Sequence, residues 1–227
     1  MKYEKQKELT ERRVCTKENF CAEAGKKMKN QKKLRILFIG NSHTYFNDMP
    51  EMVAEQFRKE QYDCEVTMIA HGGWFLEQHA NEPDVRFNIL YGHYDYVVLQ
   101  EHAHPFGPEE KFYGAVRQLN QWILEAGSKG VIYMTWAKKD EEFNQERMTL
   151  AHEQIADELG MLLAPVGKYW WEYLRSYPDI EMYYKDGQHA SPDGSRFAAK
   201  YIWNAIETDL CRAGSTAGAG SGIVKNS

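Results

Sequence analysis

The chain has 227 residues, of which 43% are hydrophobic and 27% are charged, and its formal net charge is -5 at pH 7. Its uninterrupted apolar runs are only a handful of residues long, which excludes a membrane-spanning helix, and its composition is that of a globular protein. The acidic balance disfavours a polyanionic partner, so we expect neither nucleic acid nor a membrane to be bound.

The two ends of the chain differ in composition from its middle. Residues 1–33 contain 11 Lys and Arg against 5 Asp and Glu, and we interpret them as a charged N-terminal extension without the apolar region of a secretory signal peptide. Residues 213–227 are rich in Gly and Ser and are predicted to form a flexible tail. A single globular domain is therefore expected at residues 34–212, in a protein that stays in the cytoplasm.

Short β-rich runs alternate with helix-length amphipathic segments along the middle of the chain. Apolar patterning predicts strands at residues 34–39, 65–70, 94–100, 131–136 and 161–164. Helices are predicted at about 50–61, at 109–125, within 141–160 with Gly160 at the end, and from 191 or 192 to about 210. Several strands are apolar on both faces, as in buried parallel sheets. This order predicts a three-layer α/β/α sandwich around a parallel sheet of five strands.

Polar or glycine-rich segments lie at the ends of the first four predicted strands. These segments are Ser42, then His71-Gly72-Gly73, then Gln100-Glu101-His102, and then Thr135-Trp136. The carboxyl ends of parallel strands share one edge of a sheet, and ligands bind at that edge. We therefore predict that the four segments meet in one cleft.

A carboxylate and an imidazole stand three residues apart in Asp186-Gly187-Gln188-His189. A serine hydroxyl is a weak nucleophile unless an imidazole accepts its proton and a carboxylate orients that imidazole. Ser42, His189 and Asp186 are therefore candidates for a nucleophile, its base and the group that orients the base. Ser191 and Pro192 follow as an N-cap and first helical residue, which would anchor this loop.

Acyl transfer also requires hydrogen-bond donors for the oxyanion that forms. The candidates are the backbone N–H of Ser42, a backbone N–H of Gly72 or Gly73, and the side chain of Gln100. Alternatively, the two glycines only form a turn, and the Gln100 amide only satisfies backbone groups at the end of a strand.

In order and spacing, these segments resemble the SGNH/GDSL hydrolase superfamily. The resemblance rests on Gly40-Asn41-Ser42, His71-Gly72-Gly73, a carboxamide after the third strand and Asp186-x-x-His189, and it covers roughly residues 34–210. It implies a flavodoxin-like sandwich and a serine esterase or related acyl hydrolase with no metal or organic cofactor. By residue matching, Ser42, His189 and Asp186 are the catalytic residues. Gln100 takes the place of the asparagine in the usual third block, and Asn41 replaces an aspartate in the first.

Aromatic and imidazole side chains near the strand ends are candidates for substrate binding. We assign this role to Trp136, Trp74 and His102. By analogy with the family, the expected substrate is a small acyl ester such as an acetylated carbohydrate. Acyl transfer to another alcohol stays open, and the sequence does not indicate an oligomeric state.

Two other functions fit the same sequence. A catalytically silent module of the same fold would bind glycans or acyl compounds without turnover, which the altered third block permits. A metal-dependent hydrolase would use His102 and His104, because two imidazoles at this spacing can ligate one ion. Four further histidines of the globular part are interpreted as surface or packing residues: His43, His79, His93 and His152.

Overall fold

Five parallel strands form one sheet in the computed structural model, which describes residues 32–218. The strands are β1 (Lys32–Gly40), β2 (Tyr62–Ala70), β3 (Tyr96–Gln100), β4 (Lys129–Tyr133) and β5 (Leu162–Ala164). Their order in the sheet is β2-β1-β3-β4-β5, and every neighbouring pair is parallel. This is the flavodoxin-like strand order. The predicted three-layer sandwich with a five-stranded parallel sheet is therefore confirmed.

Helices connect the strands and cover both faces of the sheet. They are α1 (Ser42–Tyr45), α2 (Met49–Lys59), α3 (Leu76–His79), α4 (Pro83–Tyr91), α5 (Glu109–Glu125), α6 (Asn144–Leu159), α7 (Val166–Ser176) and α8 (Pro192–Gly218). The sequence predicted α2, α5, α6 and α8. It missed α1 and α3, which are too short for a periodic signal, and α4, whose apolar residues do not form one stripe. It also did not predict α7. No helix within the described range is long and apolar enough to cross a membrane.

Two boundaries of the predicted domain differ from the structure. Strand β1 begins at Lys32, because Lys32 and Lys33 pair with Tyr62 and Asp63 of β2, so residues 1–31 of the predicted extension lie outside the described residues. Helix α8 continues to Gly218, past the predicted end near residue 210, so residues 213–218 of the predicted tail are helical. Residues 219–227 of the predicted tail lie outside the described residues.

Alternate residues of the central strands point to opposite faces of the sheet, and both sets are buried. In β1, Ile36 and Phe38 pack in the core that α2, α7 and α8 cover, whereas Leu37 and Ile39 pack in the core that α4, α5 and α6 cover. Burial on both faces explains the nearly continuous apolar sequences of these strands. The polar residues that follow the strands are consequently gathered at the carboxyl edge of the sheet.

Candidate active site

Ser42 is the first residue of helix α1 and lies just beyond the end of β1. Asn41 caps this helix, because its Oδ1 accepts a hydrogen bond from the His43 N–H at 3.0 Å. The Asn41 Nδ2 donates to the Trp74 carbonyl at 2.9 Å, and the Asn41 backbone N–H donates to Gln100 Oε1 at 2.8 Å. The turn is thus fixed from two sides at the point between β1 and β3 where the strand order reverses.

The side chains of Ser42, His189 and Asp186 form one continuous chain of hydrogen bonds. Ser42 Oγ lies 2.7 Å from His189 Nε2, and His189 Nδ1 lies 2.6 Å from Asp186 Oδ2. Ser42 and His189 are 147 residues apart in sequence. The structure therefore brings together the three side chains that the sequence selected. In this arrangement the imidazole can accept the serine proton while the carboxylate orients it.

The Asp186 carboxylate is held in its charged form. Partial burial raises its pKa, but hydrogen bonds from the His189 ring and from the backbone N–H groups of Gln188 and His189 outweigh that effect and lower the pKa to about 2. The two backbone groups donate to Asp186 Oδ1 at 2.9 and 3.0 Å. An ionised carboxylate at His189 Nδ1 favours the tautomer whose Nε2 can accept a proton from Ser42.

A short hairpin of residues 183–190 carries Asp186 and His189. Tyr183 and Ala190 form an antiparallel bridge at its base. Near its tip, Gly187 has a φ of +68°, a conformation that glycine adopts without strain. The hairpin is followed by Ser191, whose Oγ accepts from the Gly194 N–H at 3.1 Å and caps α8 as the sequence predicted.

Trp136 supports the hairpin of residues 183–190 and does not face the cleft. Its side chain is 0% exposed and stacks on Trp170, with ring centroids 3.8 Å apart. Its Nε1 donates to the Gln188 carbonyl at 2.9 Å. The prediction that Trp136 binds substrate is wrong, because the side chain turns into the core beneath the hairpin.

Two aromatic rings that the sequence pattern did not indicate as part of the site lie against His189. The Phe46 ring is stacked on the imidazole, with centroids 4.1 Å apart, and the His43 ring lies 4.9 Å away. His43 is buried, and its burial, together with the nearby imidazoles of His104 and His189, lowers its pKa well below the usual value. One feature of the sequence could have placed one of these rings at the site, which is that His43 directly follows Ser42. Nothing comparable indicated Phe46.

Gln100 supports the turn of residues 40–44, which carries the candidate nucleophile Ser42 and is called the nucleophile turn below. It is 1% exposed, and its Oε1 accepts from the Asn41 N–H and from Thr44 Oγ1, both at 2.8 Å. Its Nε2 donates to the Glu101 carbonyl. The prediction that Gln100 donates to the oxyanion does not fit this arrangement, because the amide is enclosed and engaged in fixing the turn. Gln100 is a positioning residue.

The backbone donors selected for the oxyanion have no hydrogen-bond partner within the described part of the chain. The N–H groups of Ser42, Gly72 and Gly73 make no hydrogen bond among residues 32–218. The turn that contains the two glycines is closed by the Trp74 N–H, which donates to the His71 carbonyl at 3.1 Å, and Gly73 has a φ of +75°. A bond of 3.1 Å from the His71 N–H to the carbonyl of Gly40 ties this turn to the end of β1.

Glu101 joins the glycine-containing segment to the loop after β3. The carboxylate accepts from the Leu76 N–H at 3.2 Å and from the His102 N–H at 2.6 Å. Burial raises its pKa, the two N–H groups lower it in part, and the resulting value is about 7. The carboxyl group therefore fixes the two segments relative to each other.

His102 and Trp74 are half-buried side chains on this flank of the site. The His102 ring stacks on Phe75, with centroids 4.3 Å apart, and its Nδ1 lies 3.0 Å from the Pro105 carbonyl. The Trp74 ring packs beside His71, with centroids 4.2 Å apart. Both side chains retain exposed area, and their contact with substrate stays a prediction.

His102 and His104 do not converge on a metal site. The His102 ring packs on Phe75, whereas the His104 ring lies beside His43, with centroids 5.2 Å apart. The part of the chain that the structure describes contains no group of three His, Cys, Asp or Glu side chains arranged to hold an ion. Within residues 32–218, the geometry therefore supplies no ligand set for the metal-hydrolase alternative.

Solved structures of other proteins share this fold. Neither a family model nor a curated protein matches the sequence. A protein of Slackia heliotrinireducens, assigned to the SGNH hydrolases, is 31% identical, with a TM-score of 0.67 over 77% of this chain and 100% of that one. The fold is shared by an acetylxylan esterase of Geobacillus stearothermophilus, which is 15% identical, with a TM-score of 0.60 over 78% of this chain and 96% of that one. It is also shared by a carbohydrate esterase family 3 protein of Talaromyces cellulolyticus, which is 13% identical, with a TM-score of 0.62 over 79% of this chain and 99% of that one.

The fold, with Ser, His and Asp side chains at the carboxyl edge of its sheet, is that of a serine esterase or acyl hydrolase. The chain belongs to the SGNH/GDSL hydrolase superfamily.

The Gly40 position has no room for a side chain. A Cβ atom there would lie 2.5 Å from Thr44 Oγ1 and 2.6 Å from Gln100 Oε1. We expect Gly40→Ala to lower kcat for p-nitrophenyl acetate by about 100-fold, because a displacement near 1 Å misplaces the nucleophile. We also expect the free energy of unfolding in urea to fall by about 1–3 kcal/mol.

The matched control for this substitution is Gly114→Ala in α5, where a Cβ atom would meet nothing within 4 Å. It should leave turnover unchanged and stabilise the helix by up to about 1 kcal/mol. Wild-type turnover in Gly40→Ala would show that the turn does not need its present geometry.

Proposed function

We propose that this protein hydrolyses small acyl esters through an acyl-serine intermediate, with Ser42 as nucleophile, His189 as general base and Asp186 as the residue that orients His189. The observation that carries the proposal is the chain of hydrogen bonds from Ser42 Oγ through the His189 ring to Asp186 Oδ2, with lengths of 2.7 and 2.6 Å. An intact chain of this kind activates a serine hydroxyl at neutral pH.

In the first half of the reaction, Ser42 Oγ attacks the carbonyl carbon of the ester and its proton passes to His189 Nε2. The carbonyl oxygen becomes an oxyanion, which accepts hydrogen bonds from the Ser42 N–H and from a glycine N–H of residues 72–73. Collapse of this intermediate breaks the bond between the acyl carbon and the alcohol oxygen. His189 gives its proton to the departing alcohol, and the acyl group stays on Ser42.

In the second half, a water molecule attacks the acyl carbon and gives a proton to His189 Nε2. Collapse of the second intermediate breaks the bond to Ser42 Oγ, which recovers the proton from His189, and the carboxylic acid leaves. The steps balance with ester and water alone, so the proposal requires no metal or organic cofactor.

We propose an acetylated carbohydrate as the substrate. Two of the similar folds are named as an acetylxylan esterase and a carbohydrate esterase. In this chain, half-buried Trp74 and His102 flank the nucleophile turn, and Tyr45 and Tyr184 are 37% and 47% exposed near Phe46, which packs on His189. Aromatic faces with a few polar groups suit the apolar and hydroxyl-bearing faces of a sugar ring.

Labelling with a fluorophosphonate probe tests the assignment. We expect one covalent adduct, located by mass spectrometry on the peptide that contains Ser42, and equal labelling with and without a chelator. A catalytically silent module predicts no adduct, and a metal-dependent hydrolase predicts that chelation abolishes turnover. An adduct on another serine would reject Ser42 as the nucleophile.

A further inference from the structure

A groove of about 530 Å³ lies at the base of the catalytic hairpin, outside the Ser-His-Asp site. Its floor contains the rings of Tyr173, Phe197 and Tyr201, and its rim contains charged side chains that include Asp179 and Lys200. We refer to it as the hairpin-base groove. Its volume is within the range of pockets that hold small ligands.

The floor of the hairpin-base groove is a continuous aromatic strip. The ring of Tyr173 on α7 lies 4.9 Å from that of Phe197 on α8, and the ring of Phe197 lies 4.8 Å from that of Tyr201. All three side chains are half-buried, so that part of each ring stays accessible. The hydroxyl groups of Tyr173 and Tyr201 make no hydrogen bond to any residue from 32 to 218.

Charges of both signs stand around this strip. Arg196 is paired with Asp193 at 2.5 Å, whereas Asp179 and Lys200 have no ion-pair partner among the described residues. A rim that carries both positive and negative charges disfavours a ligand with a large net charge of one sign. A charged rim also disfavours an apolar lipid chain. A neutral ligand with many hydroxyl groups suits this surface, because its C–H faces pack on the rings and its hydroxyls bond to carboxylate, ammonium and phenol groups.

The groove is continuous with the hairpin that carries the catalytic residues. Glu181 and Met182 line it, and their carbonyl groups accept hydrogen bonds from Ser191 Oγ at 2.6 Å and from the Ser191 N–H at 2.9 Å. From Met182, which lines the groove, to Asp186 the chain advances four residues, which span at most about 13 Å, comparable to a few sugar units. A short oligosaccharide is therefore long enough to reach from the groove to the triad.

We infer that the hairpin-base groove binds a neutral carbohydrate segment at a distance from the ester that Ser42 attacks. This inference rests on the proposed function for the identity of the substrate. Sugar units held in the groove bring a polymeric substrate to the triad and lower its KM, whereas a small ester that does not reach the groove gains nothing from it.

The test compares substrates that do and do not reach the groove. We expect Tyr201→Ala to raise KM for acetylated xylan by about 10-fold with kcat unchanged. The reason is that the variant loses only binding energy that the bound substrate and the transition state share equally. The values for p-nitrophenyl acetate should not change.

A second variant, Asp179→Ala with Lys200→Ala, alters only exposed side chains and should have the same effect without a risk to folding. Tyr91→Ala, at a residue that is 61% exposed on α4, is the control.

Binding without turnover provides the second measurement. Xylohexaose and mannohexaose are titrated calorimetrically into the intact protein, and we expect at least one of them to bind, with an affinity that falls about 10-fold in either groove variant. Equal affinity in the variants, or no binding of either hexasaccharide, would overturn the inference. Failure of the proposed function would be visible separately, as absence of p-nitrophenyl acetate hydrolysis and of fluorophosphonate labelling in the intact protein.

Discussion

Replacement of Ser42 by alanine is expected to lower kcat for p-nitrophenyl acetate by about 10⁵- to 10⁶-fold, the loss seen when the nucleophile is removed from a catalytic unit that acts as a whole. The substitution removes the oxygen that lies 2.7 Å from His189 Nε2. The backbone donors around residue 42 stay in place, so a small residual rate of direct attack by water should persist.

The measurement is steady-state hydrolysis together with fluorophosphonate labelling and thermal unfolding. Ser176→Ala is the matched control, because its Oγ only donates to the Glu172 carbonyl within α7, at 3.0 Å. It should retain full turnover. A Ser42→Ala protein that still turns over more than about one-hundredth of the wild-type rate would require another nucleophile.

Asp186→Asn is expected to lower kcat by about 10⁴-fold while the hairpin keeps its shape. The carboxamide oxygen of the substituted side chain can still accept from the N–H groups of Gln188 and His189. Its NH₂ group, however, faces His189 Nδ1 in place of a carboxylate oxygen that now lies 2.6 Å away. The imidazole is then held in the tautomer whose Nε2 carries a proton and cannot accept the one from Ser42.

Turnover and thermal unfolding of the Asp186→Asn protein are compared with those of Asp157→Asn, an exposed carboxylate of α6. The control should match wild type in both. Equal turnover of Asp186→Asn and wild type would show that the carboxylate does not orient the base.

The low pKa of Asp186 also limits its part in any acid inactivation. Its folded pKa, about 2, is below the ordinary value of 3.8. The stability that this carboxylate contributes is therefore fully present above its unfolded pKa and is lost as the pH falls towards 2. A decline of activity at mildly acidic pH consequently does not come from protonation of Asp186.

The sequence predicts the architecture, and it predicts that the three candidate catalytic side chains lie close together. Both predictions follow from the alternation of strands and helices along the chain. Strands buried on both faces and separated by helices define the parallel sheet, and its carboxyl edge collects whatever follows each strand. Ser42 is delivered by β1 in this way. His189 and Asp186 were recognisable because an imidazole and a carboxylate share one short loop that precedes a helix cap.

Residues at the ends of β3 and β4 could not be assigned from the sequence. Gln100 and Trp136 each lie near the end of a strand, where a side chain can point either into the cleft or into the core. The sequence around the residue does not distinguish these two orientations. Only the packed structure shows that Gln100 fixes the nucleophile turn and that Trp136 stacks on Trp170. Phe46 was missed for a similar reason, since its contact with His189 joins segments far apart in sequence.

The hairpin of residues 183–190 follows all five strands, whereas Ser42, which its imidazole contacts, follows the first. During synthesis from the N-terminus, a ribosome-bound chain exposes its hydroxyl group long before the imidazole exists. In the proposed mechanism, ester cleavage by such a chain begins only when the hairpin has docked. Under the proposed mechanism, a nascent fragment that ends before residue 189 lacks the base, so the onset of ester cleavage reports that synthesis has passed the hairpin.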